Sequence, residues 1–591
     1  MRLTNVAHLR LPFGRLLGYD LQVRPAGDPL PVSFDQHRHV GAGDRAGSWM
    51  ALSFRLPWSP DLEHLESAWR AVVDRHGTLR SVFVLGDDDS PRLRGAEVLD
   101  GQWVEHPVEA GQAVNDALRG LLDAACTPYA APSHRLCVLQ TADGPTVIVA
   151  ADHAHVDMWS MLVIARDLLA ALDAARAGRV PFSGSPPVPA FADHTAALRD
   201  RPLAPEDVRR RWREILQASG GVMPRFPMPL GDVARPQRER VEVRDVLDVD
   251  ASASFGVLAR ELGVSTLSLV VATMTEITRD LAAAPLRAVF PVHSRYEPAW
   301  HDSVGWFITN AVLESADPEP GAAAAAVQEA VRLGSWPLED VLAPWGGMPE
   351  SPGMFAISWL DLRRLPVRVD ATGLEAQYVG ASVLTDGVML WFILDESGLH
   401  LRCRYPDTLD ARGNVGRWLD HLVARLRSRA LESVGGMLHL HGRRFRLHRA
   451  RRTDVADIVA LLTDDPLGAD RESTEIGRYE AAFDAVARDP AQYLAVVRDE
   501  ADAVVATMQL SIVPGLTRRG ATRLQIEGVR VAAPVRGVGL GTEMLSWAHD
   551  HGRARGATLA QLATDVDRAD ARRFYERLGY APSHVGMKLS L

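Results

Sequence analysis

Two segments of this 591-residue chain set chemically useful side chains at fixed spacing. One is Asp152-His153-Ala154-His155-Val156-Asp157-Met158-Trp159-Ser160, and the other is Arg536-Gly537-Val538-Gly539-Leu540-Gly541. An imidazole that titrates near neutrality can take the proton that an attacking amine or hydroxyl must shed during acyl transfer from a thioester. His153 is the candidate for that role. Asp157, four residues on, is expected to fix the loop by pairing with an arginine, and Arg80 in His76-Gly77-Thr78-Leu79-Arg80 is the first candidate partner. Two other readings stand beside this one. The segment is a polar loop without chemistry, or His153-x-His155-x-Asp157 is half of a zinc site. Met158 stands where the last histidine of such a site would, so no metal is expected.

The second segment supplies a different chemistry. Glycines at 537, 539 and 541 leave backbone N–H groups bare where a helix begins, and such a nest holds phosphate oxygens through those donors and the helix dipole. Arg536 adds charge. The spacing is neither GxGxxG nor a Walker loop. A plain tight turn is the competing reading.

The elements that must position these residues are legible around them. Thr146–Ala151 (TVIVAA) is an apolar run of strand length, expected to be buried on both faces. Ser160–Arg176 follows as a helix stopped near Gly178. Leu62, Leu65, Trp69, Val72 and Val73 keep helical spacing across residues 60–76. In the rear part, Leu524, Ile526, Val529 and Val531 mark a strand, and Leu540, Met544, Trp547 and Ala548 the helix after it. The stretch from Asp570 to Tyr580 reads as a short helix with a glycine stop at Gly579. Residues 177–190 (AGRVPFSGSPPVPA) form the clearest linker, and 431–442 a weaker one.

Length alone calls for two or three domains. Hydrophobic residues at 47% and charged residues at 24% fit a globular chain, and a net charge of -10 offers nothing to nucleic acid or an anionic membrane. The run Arg443, Arg444, Arg446, Arg449, Arg451, Arg452 alternates with apolar residues and reads as the solvated side of a strand. Cys126, Cys137 and Cys403 lack CxxC spacing, which fits a reducing cytoplasm. No apolar run reaches membrane-spanning length.

Over about residues 30–430 the chain resembles a nonribosomal peptide synthetase condensation domain, of the chloramphenicol-acetyltransferase-like superfamily. The matching segments are Ser33-Phe34-Asp35-Gln36, Asp74 to Arg80, the His153 segment, and Val304-Gly305-Trp306-Phe307-Ile308-Thr309-Asn310. The family motif HHxxxDG, followed by Trp-Ser, aligns its catalytic histidine with His153 and its aspartate with Asp157. Asp152 replaces the first histidine, and Met158 the glycine. Asp152-x-x-x-x-Asp157-x-x-Ser160 also satisfies the pattern of the sibling heterocyclisation domains. The resemblance implies two lobes with His153 in a through-going tunnel, and Arg80, Asp152, Gly305, Trp306 and Asn310 as structural or tunnel positions. It also implies a thioester supplied in trans, on the phosphopantetheine of a carrier protein or on CoA.

Residues 444–591 resemble the GNAT N-acetyltransferases. Arg536 to Gly541 matches their R/Q-x-x-G-x-G/A motif, and Ala571-Arg572-Arg573-Phe574-Tyr575-Glu576-Arg577-Leu578-Gly579-Tyr580 matches a later block. The resemblance implies that the amides of Gly537, Val538, Gly539, Leu540, Gly541 and Thr542 cradle the pyrophosphate of acetyl-CoA or another acyl-CoA. It places Tyr575 as acid for the departing thiolate and Glu527 as general base.

The fold expected is α/β (α+β): a two-lobed condensation-like domain over 1–435, lobes about 1–180 and 190–435, then a mixed-sheet GNAT domain over 444–591. The expected function is a cytoplasmic, bifunctional acyltransferase of specialised metabolism. Its front site would make an amide or ester, and its rear site would acylate an amine. Two alternatives remain: a front module that only docks carrier-bound substrate, motivated by Asp152 and Met158, and acetylation for antibiotic self-resistance.

Overall fold

The structure is a computed structural model that describes residues 1–432, 436–464, 472, 473, 475–489, 491–566, 568–587 and 589. It is a mixed α/β chain that divides into two compact units. One holds Met1–Val246 and Leu262–Leu426, the other Leu247–Glu261 and Arg427–Leu591.

Two sheets build the first unit. Eight strands lie in the order Arg2–Asn5, Gln377–Gly380, Trp49–Arg55, Thr146–Asp152, His134–Gln140, Arg15–Leu30, Pro91–His106 and Ser81–Leu85. Every residue of Thr146–Asp152 is buried, as its unbroken apolar run requires. Its odd-numbered side chains join a core with the helices Leu62–Arg75 and Met158–Arg176, while Ile148 and Ala150 face a second cluster around the helix Val114–Ala125. The strand Gln377–Gly380 comes from the second half of this unit, yet it pairs antiparallel with Trp49–Arg55. A strand from residues 377–380 thus lies in a sheet otherwise built from residues 2–152.

The second sheet has seven strands, ordered Ile308–Ser315, Leu286–His293, Phe355–Asp361, Val388–Asp395, Gly398–Pro406, Gln237–Leu247 and Leu384–Thr385. Among the described residues no helix is long and apolar enough to cross a membrane.

In the second unit six strands lie in sequence order: Gly436–Leu440, Arg443–Arg449, Gln492–Arg498, Val504–Val513, Thr522–Val531 and Ala557–Leu562. Only the last pair is parallel. The stretch read as a linker over 431–442 contains the first of these strands, because Leu438 tucks into the sheet core beside Phe445 and Leu447; residues 433–435 lie outside the described residues. Arg444 and Arg446 point to solvent and pair with Glu500 and Asp502, while Arg452 pairs with Glu480 and Asp484. These three members of the basic run are thus matched within their own unit.

Candidate functional sites

Asp157 closes the loop that leaves the buried strand and caps the helix Met158–Arg176, with the Ser160 amide donating to its Oδ1 at 2.7 Å. Three more donors converge on the same carboxylate. Arg295 gives Nη1 at 2.7 Å and Nη2 at 3.2 Å, and the Phe307 amide lies at 3.1 Å. Burial alone would raise the Asp157 pKa, but the Arg295 charge and these bonds outweigh it and hold the carboxyl below its ordinary value. The expectation of an arginine partner meets Arg295, not Arg80.

Arg295 is only 2% exposed and sits 4.0 Å from the ring centre of Phe307 and 4.8 Å from that of Trp159. Its Nη2 also donates to Ser160 Oγ at 2.7 Å, and that hydroxyl bonds both the amide and the carbonyl of Gly305. One buried network therefore fixes the helix start against residues 303–307. A side chain at Gly305 would strike the Phe191 ring, which accounts for the glycine.

Arg80 lies exposed at the end of the turn Gly77–Arg80. Its neighbours carry the contact instead. Thr78 Oγ1 donates to the Val304 carbonyl at 2.6 Å, and the Ser81 carbonyl accepts from His155 Nε2 at 3.2 Å. Asn310 donates to Asp35 at 2.9 Å. His153, His155 and Asp157 thus face separate partners.

His153 is half-buried, and its Nδ1 lies 2.8 Å from the Val156 carbonyl. A carbonyl cannot donate, so Nδ1 carries the proton and Nε2 keeps a lone pair. Burial, then the neighbouring His39, lowers the His153 pKa, which keeps the ring neutral near pH 7. Trp306 stacks on the imidazole with ring centres 4.1 Å apart. This is an imidazole oriented to accept a proton.

Asp152 was a departure in the sequence, and the structure shows what it does. Its carboxylate accepts from the Ala154 amide at 2.9 Å, from Ser48 Oγ, and from His39 Nε2 at 3.3 Å. Arg45 Nη2 lies 2.9 Å from His39 Nδ1, so that nitrogen accepts and Nε2–H donates to Asp152. His39 and Trp306 meet edge to face at 5.2 Å. His39, Arg45, Ser48 and Arg295 escaped the sequence reading. The signal for His39 was its place one turn after the capping pair Ser33 and Gln36. For Arg295 it was a lone charge after an apolar strand.

In the second unit, the parallel pairing of Thr522–Val531 with Ala557–Leu562 ends at Ile526–Leu562. Across the sheet, the register with Val504–Val513 slips by one residue between Glu527 and Arg530. Gly528 takes φ +61 in this bulge, which leaves Glu527 exposed at its edge. Beyond it, Gly537 and Gly539 hold φ +81 and +88, and Gly539 caps the helix Leu540–Ala554. Only glycine takes such angles without strain. Arg536 spends its Nε on the Val531 carbonyl at 2.8 Å and remains exposed.

Val538 precedes the cap, Leu540 and Gly541 open the helix, and the Thr542 amide, expected to face the pyrophosphate, is instead bonded to the Gly539 carbonyl at 3.0 Å. A Cβ on Gly541 would come within 3.3 Å of Phe574, so the glycine-rich turn abuts the helix Ala569–Arg577 that carries Tyr575. Burial raises the Tyr575 pKa, with Arg530 and Arg568 opposing, and the phenol stays protonated. These residues suit a phosphate-bearing cofactor: bare amides at a helix start and a glycine path along them.

Residues 42–332 match the Condensation domain family, and residues 456–580 match the acetyltransferase (GNAT) family. The chain is an acyltransferase that joins a condensation domain to a GNAT domain. It is 25% identical over 417 residues to acyltransferase PapA3 of Mycobacterium tuberculosis, covering 66% of this chain and 87% of that protein. A 60-residue stretch, 10% of the chain, is 43% identical to 39% of aminoalkylphosphonate N-acetyltransferase from Salmonella typhimurium. Among solved structures, PapA2 acyl transferase superposes with a TM-score of 0.64 at 20% identity, over 73% of this chain and all of that one. The first condensation domain of the calcium-dependent antibiotic synthetase gives 0.55 at 15% identity, over 68% and 96%. These two likenesses concern the fold.

Proposed function

We propose that the acyltransferase works at two separate sites. At the front site, an acyl group leaves the thioester of a carrier protein's phosphopantetheine, or of CoA, for an amine or hydroxyl. His153 Nε2 takes the proton as the nucleophile's nitrogen or oxygen bonds to the carbonyl carbon. The C–S bond then breaks, and the imidazolium returns its proton to the departing thiolate. Asp157 and Arg295 hold the loop and do not meet the reacting atoms. The bond from Nδ1 to the Val156 carbonyl carries this reading, because it leaves Nε2 as the one basic nitrogen.

At the rear site, the proposal is transfer of acetyl or another small acyl group from CoA to an amine. The amides from Gly537 to Gly541 would hold the pyrophosphate, since that of Thr542 is already bonded to the Gly539 carbonyl, and acyl-CoA supplies the activated ester. Glu527 takes a proton from the ammonium, and the freed amine nitrogen bonds to the thioester carbonyl carbon. The C–S bond breaks as Tyr575 protonates the leaving sulfur, and the tyrosinate regains a proton from the acylated nitrogen. PapA3 is named an acyltransferase, which favours the front reading, and the phosphonate enzyme is named an N-acetyltransferase, which favours the rear one.

The test is intact-mass analysis of acyl-loaded carrier proteins incubated with an acceptor panel, for wild type and His153→Ala. Carrier unloading and product formation should both vanish in the variant. Unchanged unloading would leave the condensation domain as a docking platform and give all the chemistry to the GNAT site.

A further inference from the structure

We infer that Arg402, Arg404 and Trp391 form a buried site for an oxyanion group, a carboxylate, sulfate or phosphate ester, carried by a substrate of the condensation domain. Arg402 and Arg404 point to one face of the strand Gly398–Pro406, opposite in register to Trp391 and Met389 of the antiparallel strand Val388–Asp395. Their guanidinium carbons lie 4.6 and 5.3 Å from the centre of the Trp391 ring. Leu401, Cys403 and Tyr405, on the other face, are fully buried. Arg402 itself is 4% exposed.

Two guanidinium groups in such a place should have carboxylate partners. Among the described residues neither forms an ion pair, and the buried Nε and Nη2 of Arg402 and Nε of Arg404 have no hydrogen-bond partner. The one bond either makes runs from Arg404 Nη2 to the thioether of Met389, a weak acceptor. The nearby carboxylate is Glu239, whose Oε1 accepts from Asn5 at 2.9 Å while Oε2 is buried without a partner. Burial and then the Arg404 charge lower Arg402 to about 10, with Glu239 opposing, so Arg402 stays charged at neutral pH. Burial lowers Arg404 as well, with Glu239 opposing, and a guanidinium keeps its charge in proteins. The balance is two positive charges to one negative, with forked donors left over. Planar guanidinium forks match the oxygens of an oxyanion, and an indole face supports them.

The position links this cluster to the loop that carries His153 and Asp157. A side chain on Gly380 would stand 3.7 Å from Arg402 Nη2. Two residues back on that strand, roughly 7 Å away, Tyr378 donates its hydroxyl to the Met158 carbonyl at 2.8 Å, beside Asp157. The inference rests on the front-site reading for its substrate, while the first part of its test needs no turnover.

Binding is read first, on the full chain without thioester, by calorimetric titration with sodium sulfate against sodium chloride at matched ionic strength. Saturable sulfate binding is expected, at least tenfold weaker in Arg402→Gln and several-fold tighter in Glu239→Gln. Arg402→Gln removes a buried side chain, so the gain in Glu239→Gln guards against loss through misfolding. An equal response to both salts, or no tightening in Glu239→Gln, overturns the site. Transfer is read second, with the negative charge placed on the acceptor or on the acyl donor. Arg402→Gln should cut kcat/KM at least tenfold more for one charged pairing than for neutral pairings, which identifies the source. Loss for neither pairing overturns the inference. Sulfate binding by wild type and His153→Ala, with no transfer by either, would sink the front-site function and support the anion site.

Discussion

The indole of Trp306 lies on the imidazole of His153, 4.1 Å between ring centres and 22° between planes. While the imidazole is neutral, this is ordinary stacking. Once it accepts a proton, the ring charge faces the indole and gains about 0.5–2 kcal/mol. That gain exists only after proton transfer begins, so it belongs to the transition state. Trp306→Leu should therefore lower kcat by about two- to thirtyfold with little change in KM, and Trp306→Phe should fall between. Steady-state kinetics check this. A rise in KM at constant kcat would make the indole a packing residue.

The lowered His153 pKa fixes the direction of a pH profile. The base works when neutral, so front-site kcat/KM should stay level as pH falls to the ordinary imidazole value of 6.5 and drop only below it. An inflection above 6.5 would contradict a ring disfavoured as a cation by burial. His153→Gln should lose at least about 100-fold in rate together with that limb. Rates from carrier unloading across pH 5–9 measure both.

The helix Met158–Arg176, the strand before it and the rear alternation of strands and helices were legible because each is a local pattern of apolar spacing. The partner of Asp157 was not. Arg80 lies nearer in sequence, but its exposed turn keeps its own charge in water, whereas Arg295 comes 138 residues later and is buried. Likewise nothing local joins His39 to Asp152, which stand 113 residues apart. Ion pairs across elements depend on sheet order, and sheet order was not in the periodicity. The strand Gly436–Leu440 was hidden for another reason: it is short, opens on a glycine and carries His439 between Leu438 and Leu440, so it looks like a turn until Leu438 meets Phe445.

Asp157 and Arg295 should also matter for stability. Asp157→Asn leaves a buried guanidinium with only neutral partners, a loss expected at about 3–5 kcal/mol. Asp157→Asn combined with Arg295→Met should recover part of it, since no orphan charge remains. The folded-state Asp157 pKa lies below its unfolded value. The pair's contribution is therefore complete above the ordinary carboxylate pKa and disappears as pH falls through the lower, folded value. Thermal unfolding of the three proteins between pH 3 and 7 tests the ranking and the sign. Equal melting of Asp157→Asn and wild type at pH 7 would be the contrary result.

At the rear site, Gly541 and Tyr575 should separate binding from chemistry. A Cβ at 541 would stand 3.3 Å from Phe574, and the larger branches of valine must displace that ring or the adjoining helix start. Gly541→Val should thus weaken CoA binding at least tenfold by calorimetry, while carrier unloading at His153 continues unchanged. Tyr575→Phe keeps the ring and removes the proton that burial retains on the phenol. CoA should bind it as tightly as wild type, but the thiolate then leaves unprotonated, and kcat for amine acetylation should fall about ten- to 100-fold. A Tyr575→Phe enzyme with full kcat would return Tyr575 to the role of a core aromatic beside Phe574 and Tyr580.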